Sequence, residues 1–367
     1  MAEPAVRILV INPGSTSTKI GIYENLTCVF NKTVRYHHAE WESYTSIMEQ
    51  KELRRAFVLS SVQESGIPMT SLQAVVGRCG MVKPLESGTY LLDEHLVRDL
   101  TSEESMRHAS SLGGVIAYEI GRQLSIPAYV VDPVTIDEMI PQARLTGIKA
   151  IARRSIFHAL NSKYVAKRFC RENQKRYEES RLIVVHLGGG ISVSAHQNGR
   201  TIDVNDASAG DGPFGPERAG GLPVSAVVEL CFSGLYTKET IFTQIMSKGG
   251  MQMLLGTNDL REAEKRIDQG DDYAQLVVEA MAYQVSKQIG AMAAALEGEV
   301  EGIVLTGGLA FSRRFVQLIE QRVRKMAPVT VYPGEDELQA MAEGAFAVLT
   351  GREQVKHYGV REIENVR

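Results

Sequence analysis

RILVINPGSTSTKIGIYEN at residues 7–25 has a near copy half a chain later, RLIVVHLGGGISVSAHQNGRTIDV at residues 181–204. Each segment begins with an apolar, β-branched run, turns at glycines next to Ser or Thr, and continues with apolar residues at every second position. This alternation is typical of half-buried strands. The repeat therefore predicts that each half of the chain opens with a three-stranded antiparallel meander.

Strands alternating with helical patterns follow each meander. The clearest helix spans residues 273–296, where apolar residues recur at steps of three and four: Met281, Val285, Ile289, Met292 and Leu296. This stripe indicates core packing and not a cofactor site. The order of elements predicts an α/β protein in which a mixed sheet flanked by helices is formed twice. Two such domains facing each other would create a cleft.

Composition limits the possible partners. The 367 residues are sufficient for about two domains with full cores. Forty Lys and Arg residues against 44 Asp and Glu give a net charge of −4, which lacks the basic excess of proteins that bind nucleic acid or anionic membranes. Small-molecule partners are favoured. Apolar runs are short and no basic segment precedes an apolar one at the N-terminus, so we expect a soluble, cytoplasmic protein.

Three glycine-rich turns come directly after predicted strands, at residues 12–19, 186–192 and 306–312. No Gly-x-x-x-x-Gly-Lys-Ser/Thr string occurs, so the usual P-loop is absent. Glycine lets backbone N–H groups converge on an anion, and Ser or Thr hydroxyls add donors. Any one of these turns alone is more commonly a plain hairpin. Their repetition at strand ends in both halves favours binding of nucleotide phosphates.

Five strings carry a family resemblance: VINPGSTSTK (10–19), VVDPV (130–134), RRSIFHALNSKYVAKR (153–168), VVHLGGGISV (184–193) and LTGGLA (305–310). They resemble the acetate and butyrate kinase family of the sugar kinase, Hsp70 and actin superfamily. NPGSTSTK, HLGGG and DVNDASAGDGPFGPERAGGLP (203–223) are similar to the butyrate kinase branch. HLGGG has Gly189 where acetate kinases have Asn, which removes one side-chain donor to the phosphates.

The resemblance implies two actin-like ATPase domains with a ribonuclease H-like fold and an interdomain cleft. Each domain would contain a mixed five-stranded sheet flanked by helices. The N-terminal acyl and phosphate-side domain would span residues 1–133 plus 345–367, and the nucleotide-binding domain residues 134–344. A homodimer or larger homo-oligomer is also implied.

The resemblance further implies reversible phosphoryl transfer from ATP to the carboxylate of a short-chain fatty acid, with Mg²⁺ as the metal. Butanoate is the favoured acid, giving butanoyl phosphate and ADP by direct in-line transfer. Acetate, propionate or branched isobutyrate remain alternatives, because one methylene in an apolar pocket changes binding by only about 1–3 kcal/mol. An ATP-gated binding protein and a sugar kinase are more distant alternatives within the same superfamily.

A carboxylate acceptor is already anionic and needs no general base, so positive groups should dominate the site. Arg78 and Arg218 match the two active-site arginines of the family and would hold the carboxylate and the transferring phosphoryl group. Asp132 matches the catalytic aspartate, and His158 would donate to the phosphoryl oxygens. For a lone Arg, Asp or His, a surface ion pair, an Asx turn or a core position is the competing interpretation.

The same resemblance assigns binding residues. One further histidine, His108, would line the substrate pocket or pack in the core. Asp336 or Glu337 would be linked to the metal, although an acidic residue at a helix start is commonly only exposed. The nucleotide and its phosphates would be held by Asn12, Ser15, Ser17, Lys19, His186, Gly188, Gly189, Gly190, Thr306, Gly307 and Gly308.

Overall fold

Residues 5–36, 44, 46–103 and 105–359 are described by a computed structural model. The chain forms two units, one of Met1–Ile136 with Asp336–Arg367 and one of Asp137–Glu335. Each unit has one mixed sheet flanked by helices, which confirms the predicted α/β class. The predicted returning segment starts at 345, whereas the chain rejoins the first unit at Asp336. Residues 1–4 and 360–367 of the predicted first domain lie outside the described residues.

The first sheet has the strand order β3-β2-β1-β4-β6-β5. β1, β2 and β3 form the predicted antiparallel meander, β1, β4 and β6 run parallel, and β5 pairs antiparallel with β6. The sheet therefore has six strands and not the predicted five, because the three-residue β5 is too short to show a sequence period. The strands are β1 (Arg7–Pro13), β2 (Ser17–Glu24), β3 (Thr27–Arg35), β4 (Ala74–Gly77), β5 (Thr89–Leu91) and β6 (Ala128–Val131).

Helices cover both faces of the first sheet. The helices of this unit are α1 (Lys51–Glu64), α2 (Glu94–Leu100), α3 (Ser111–Leu124) and α12 (Glu337–Leu349). Leu9 and Ile11 of β1 belong to the same buried core as Ile116 of α3. α12 packs on the opposite face, where a Cβ added to Gly344 would lie 2.7 Å from a methyl group of Val131. This close packing places the start of α12 next to the ends of β1 and β4.

The second sheet has five strands in the order β11-β10-β7-β8-β9. β7, β8 and β9 form the second predicted meander, while β7, β10 and β11 run parallel. The strands are β7 (Arg181–Leu187), β8 (Ile191–Gln197), β9 (Arg200–Val204), β10 (Gly302–Gly307) and β11 (Val329–Pro333). The helices are α4 (Pro141–Arg144), α5 (Ala159–Glu172), α6 (Val224–Phe232), α7 (Lys238–Met246), α8 (Gly250–Leu255), α9 (Leu260–Asp268), α10 (Asp272–Ala295) and α11 (Arg313–Val323).

The long helix α10 packs on one face of the second sheet and α5 on the other. The predicted core stripe is confirmed, because Met281, Val285 and Ile289 are fully buried and Met292 and Leu296 nearly so. On the opposite face, Phe169 of α5 packs against β7 and β10. Within the described part of the chain, every helix is too short or too polar to cross a membrane.

Candidate functional site

Three predicted residues of the first unit meet around one carboxylate. Arg78 Nη2 lies 3.0 Å from Glu337 Oε1, and Asn12 Nδ2 donates to Glu337 Oε2 at 2.7 Å. Asn12 and Arg78 are each only 8% exposed. We call Asn12, Arg78 and Glu337 the Glu337 cluster. It lies where β1 and β4 end and α12 begins, so three distant parts of the chain supply one charged group.

Two glycines position the Arg78 backbone. Arg78 N donates to Ile11 O at 2.8 Å, and Gly114 N donates to Arg78 O at 3.0 Å. A Cβ at Gly113 would lie 2.6 Å from Arg78 O, and a Cβ at Gly77 would lie 2.1 Å from Gly113 O. Real Cβ atoms essentially never approach so closely. Gly77 and Gly113 therefore let α3 begin against β4, and the sequence prediction missed both.

Asp132 directly follows β6, close to the predicted strand end, and its carboxylate is held by the turn at Ser87 and Gly88. Its backbone has a φ of +41°, a left-handed value that is unusual for a residue with a side chain. Oδ1 accepts hydrogen bonds from Ser87 Oγ at 2.7 Å and Gly88 N at 2.8 Å. These contacts keep Asp132 95% buried. None of the hydrogen bonds found among the described residues joins its carboxylate to the Glu337 cluster.

The first glycine-rich turn is held in place by hydrogen bonds from the buried Arg54, which the sequence prediction missed. Gly14 N donates to Ser17 O at 2.7 Å, which closes the turn. Arg54 Nη1 donates to the same carbonyl at 3.0 Å and to Thr18 Oγ1 at 2.8 Å. Burial lowers the pKa of the Arg54 guanidinium from its ordinary value, yet arginine stays charged at neutral pH.

The remaining predicted residues of the first unit are accessible to solvent. Ser17 is half-buried, and the following side chains are exposed: Ser15, Lys19, His108 and Asp336. Lys19 lies on β2 opposite Asn12. His108 precedes α3. Their roles stay predictions.

In the second unit, two predicted histidines stack on each other. The rings of His158 and His186 are 3.7 Å apart and nearly parallel, at 4°. His158 Nδ1 lies 3.1 Å from Ser192 Oγ. Asn161 Nδ2 lies 3.0 Å from His186 Nδ1 and 3.1 Å from Thr306 Oγ1. We call His158, Asn161, His186 and Thr306 the His186 cluster. Asn161 was not among the predicted residues, although it lies in the quoted string 153–168.

The glycines of the other two turns differ in how much space a side chain would have. Gly307 has a φ of +90°, and a Cβ there would lie 2.5 Å from Leu187 O. A Cβ at Gly188 would lie 2.9 Å from His186 Nε2. At Gly308, by contrast, a Cβ would meet no atom of the described residues within 4 Å. Neighbouring protein atoms thus leave no room for a side chain at Gly188 and Gly307, whereas Gly308 borders open space.

Arg218 packs directly against the second glycine-rich turn. Its Nη1 donates to Ala207 O, and a Cβ added to Gly190 would lie 1.8 Å from the same nitrogen. Burial lowers the pKa of the Arg218 guanidinium, an effect partly opposed by the carboxylates of Glu217 and Asp206. Glu217 in turn is the neighbour that a Cβ on Gly189 would meet, at 3.0 Å. Arg218 is therefore a partly buried cation whose position depends on the absence of a side chain at 190.

Each of the two units contains groups that can bind anions. In the first unit a buried arginine and an asparagine amide contact one carboxylate. The second unit has two stacked imidazoles, two glycine-rich turns and a partly buried arginine. Guanidinium groups suit carboxylate and phosphate oxygens, since their N–H groups can form paired, charge-assisted hydrogen bonds. Both clusters lie at the carboxyl ends of parallel strands, where open α/β sheets bind ligands.

A sequence model of the acetokinase family matches residues 140–361. Among solved structures, the acetate kinase of Porphyromonas gingivalis is 20% identical, with a TM-score of 0.78 over 94% of this chain and 100% of that chain. A propionate kinase from Francisella tularensis subsp. tularensis is 18% identical, with a TM-score of 0.73 over 93% and 99%. The acetate kinase of Entamoeba histolytica is 17% identical, with a TM-score of 0.74 over 92% and 98%. At these identities the structural similarity establishes a shared fold.

Proposed function

Since this chain belongs to the acetokinase family, we propose that it phosphorylates the carboxylate of a short-chain fatty acid and that butanoate is its preferred acid. Family membership makes ATP or ADP with a divalent metal the expected phosphoryl donor system. The observation that carries the proposal is the paired, largely buried Arg78 at the ends of β1 and β4. A buried cation of this kind suits an anionic acceptor.

The proposed reaction is a direct transfer. A carboxylate oxygen attacks the γ-phosphorus of ATP, the bond from that phosphorus to the bridging oxygen of ADP breaks, and the acyl phosphate forms. The acceptor has no proton to lose, so no general base is required. Arg78 would orient the acid, and Arg218 would neutralise charge on the transferring group. His158 would add a hydrogen bond to a phosphoryl oxygen, and the phosphates would bind at the glycine turns.

Glu337 would keep Arg78 in place for this role. One guanidinium nitrogen of Arg78 pairs with Glu337, and arginine has five N–H donors in all. Asn12 on the other carboxylate oxygen limits rotation of the Glu337 side chain. Asp132, fixed by Ser87 and Gly88, would help orient the acceptor.

The residues at the start of α12 fit a magnesium ion that is held mainly by nucleotide. Mg²⁺ usually binds one or two carboxylates, phosphate oxygens and several waters. Asp336 is exposed to solvent, and each Glu337 oxygen keeps a lone pair beyond its present contact. No group of three or more His, Cys, Asp or Glu side chains among the described residues is arranged to hold a metal alone. When bound, the ion would neutralise phosphate charge.

The preference for butanoate rests on sequence resemblance. The string 203–223 and the HLGGG turn are similar to the butyrate kinase branch, while the solved structures compared above are acetate and propionate kinases. Acetate, propionate and isobutyrate are therefore the competing acids, and the test has to compare all of them. Cytoplasmic location likewise stays a prediction from the sequence.

A hydroxamate assay tests this proposal. Hydroxylamine traps any acyl phosphate formed from Mg-ATP and acetate, propionate, butanoate, isobutyrate or valerate. We expect the highest kcat/KM with butanoate and a loss on the order of 10³-fold in Arg78→Ala and Arg218→Ala. Arg176→Ala is the matched control, because Arg176 pairs only with Glu179 on the surface in the described structure. ATP hydrolysis without trapped product from any acid would contradict the proposal and favour a gated binding protein or a sugar kinase.

We also propose that two copies of the chain associate through α6 and the turn that follows it. None of the nine α6 residues, all of them described, is buried, although the helix is mostly apolar. Val224 is 76% exposed, Phe232 87% and Leu235 78%, and Glu229 is the only charge in residues 222–236. An apolar patch with so little charge suits a second identical patch better than a charged partner.

Light scattering after size-exclusion chromatography tests this association. We expect the wild type to run as a dimer or a larger oligomer and Val224→Asp/Phe232→Glu to run as a monomer. Ile148→Asp is the control, since Ile148 is also exposed, at 60%, but lies outside the patch. A monomeric wild type, or a patch variant that keeps its oligomeric state, would contradict the proposal.

A further inference from the structure

A chain of hydrogen bonds leads from a backbone carbonyl to the ring of His186. Thr306 Oγ1 donates to Gly334 O at 3.1 Å. Asn161 Nδ2 donates to Thr306 Oγ1 at 3.1 Å and lies 3.0 Å from His186 Nδ1. Asn161, His186 and Thr306 are all at most 1% exposed, so water does not compete for these contacts.

The direction of each bond follows from the number of protons available. Thr306 has one hydroxyl proton and gives it to Gly334 O, so Thr306 accepts from Asn161. The second Asn161 amide proton then points to His186 Nδ1, which must accept it. The opposite orientation of the Asn161 amide would bury two N–H groups at the present Oδ1 position. In the described residues that position has no hydrogen-bond partner.

With Nδ1 as an acceptor, the proton of a neutral His186 ring belongs on Nε2. This nitrogen is buried and makes no hydrogen bond within the described residues. Glu335 Oε1 lies 3.1 Å away without forming a hydrogen bond to this nitrogen. A Cβ on Gly188 would lie 2.9 Å from Nε2, so this nitrogen borders the second glycine-rich turn. Stacking on His158 fixes the plane of the ring.

We propose that Asn161 is a positioning residue that fixes His186 as the Nε2–H tautomer, so that the ring donates a hydrogen bond to a nucleotide phosphate at this turn. The phosphate part of the inference rests on the proposed function. If a hydrogen-bond acceptor faced Nδ1 in place of the Asn161 amide, Nδ1 could carry the proton. Nε2 would then not have to be a donor. The Asn161 amide excludes that state, because a donor cannot face a donor.

Nitrogen-15 NMR of histidine-labelled protein tests the tautomer without substrate or nucleotide, because ring shifts distinguish a protonated from an unprotonated nitrogen. The His186 signals are assigned by their loss in His186→Gln. We expect Nε2 protonated and Nδ1 unprotonated in the wild type. In Asn161→Asp the introduced carboxylate can only accept, so Nδ1 should become protonated. A wild-type Nδ1–H, or an unprotonated Nδ1 in Asn161→Asp, would overturn the proposal.

A second pair of variants keeps the test decisive if Asn161→Asp does not fold. Thr306→Ser retains the hydroxyl and should retain the wild-type tautomer. Thr306→Val removes the acceptor for one Asn161 proton, so the amide is released and a population with Nδ1–H should appear. A single unchanged tautomer in Thr306→Val would overturn the proposal. These spectra require no enzymatic turnover. They therefore test the tautomer of His186 even if the protein phosphorylates no carboxylate.

Calorimetric titration with Mg-ADP tests the phosphate contact. We expect the dissociation constant to rise at least about tenfold in Asn161→Asp, as for loss of one charge-assisted hydrogen bond. The exposed Asn198→Asp is the matched control and should keep both the wild-type affinity and the wild-type tautomer. A reversed tautomer with unchanged Mg-ADP affinity would overturn the assignment of His186 as a phosphate donor.

Discussion

Alanine at position 190 should disable Arg218 without removing it. A Cβ on Gly190 would lie 1.8 Å from Arg218 Nη1 and 2.9 Å from Ala207 O. Ordinary van der Waals contact begins at 3.4 Å, so the guanidinium must retreat by about 1.6 Å. The backbone carbonyl of Ala207 cannot yield as easily as a side chain, so we expect Arg218 to move and its contact with Ala207 to break.

The magnitude follows from this displacement. Misplacing a catalytic group by about 1 Å can cost on the order of 10²-fold in rate, and losing an arginine that stabilises phosphoryl transfer on the order of 10³-fold. We therefore expect kcat/KM of Gly190→Ala to fall by about 10²- to 10³-fold. That loss corresponds to roughly 2.7–4 kcal/mol of transition-state stabilisation.

The hydroxamate assay with butanoate measures this effect, and circular dichroism checks that the variant is folded. Gly290→Ala is the matched control: within the described residues a Cβ at this position in α10 meets only Met326 Cε, at 3.7 Å. It should keep wild-type activity. A folded Gly190→Ala with activity within about threefold of wild type would refute the role given to Arg218.

Three further predictions concern charged groups. Burial and the Lys163 ammonium hold the pKa of His196 well below its ordinary value of 6.5. Below about pH 6.5 the unfolded chain therefore binds a proton at this histidine that the folded chain does not bind. The free energy of unfolding should fall by up to about 1.4 kcal/mol per pH unit below that pH. Urea titrations between about pH 7.5 and 5.5 should show this slope, and His196→Gln should reduce it. Lys163→Met removes the ammonium group that lies 2.6 Å from the buried Glu138 carboxylate, so urea titration should show that the free energy of unfolding falls by about 3–5 kcal/mol. The double variant Lys163→Met/Glu138→Leu should recover most of this loss. A single variant as stable as the wild type would contradict the prediction. Glu337→Gln removes the charge that pairs with Arg78, so kcat/KM in the hydroxamate assay should fall about tenfold or more, whereas an unchanged value would show that the pair is dispensable.

Local sequence patterns were sufficient to predict most of the fold. Both meanders were predictable because each combines an apolar, β-branched run, a glycine turn and a second run with period-two alternation. Which residues face the core was not predictable in this way, since β1, β7 and β8 are buried along almost their whole length. The α10 stripe was predictable because its apolar residues recur at steps of three and four, which places them on one face of a helix. β5 was missed because its three residues are held by pairing with β6 and carry too little pattern of their own. The short helices α7, α8 and α9 were not predicted either.

The candidate site was only partly predictable, because its contacts join residues that are far apart in sequence. Glu337 could be placed at a helix start, but its contact with Asn12 spans 325 positions. The contact between Asn161 and Thr306 spans 145 positions. Gly77 and Gly113 were missed because a requirement for glycine arises only where two backbones cross. A strand-end position for Asp132 was visible, whereas its left-handed backbone depends on the turn at Ser87 and Gly88.

In the proposed reaction a carboxylate oxygen attacks the γ-phosphorus of ATP. Butanoate labelled with ¹⁸O in both carboxylate oxygens tests it directly, since the bridging oxygen of the acyl phosphate would come from the acid. Hydroxylamine attacks the carbonyl carbon and releases phosphate together with that bridging oxygen. Mass spectrometry of the released phosphate should therefore find one ¹⁸O per molecule. Phosphate without ¹⁸O would mean that water, and not the carboxylate, receives the phosphoryl group.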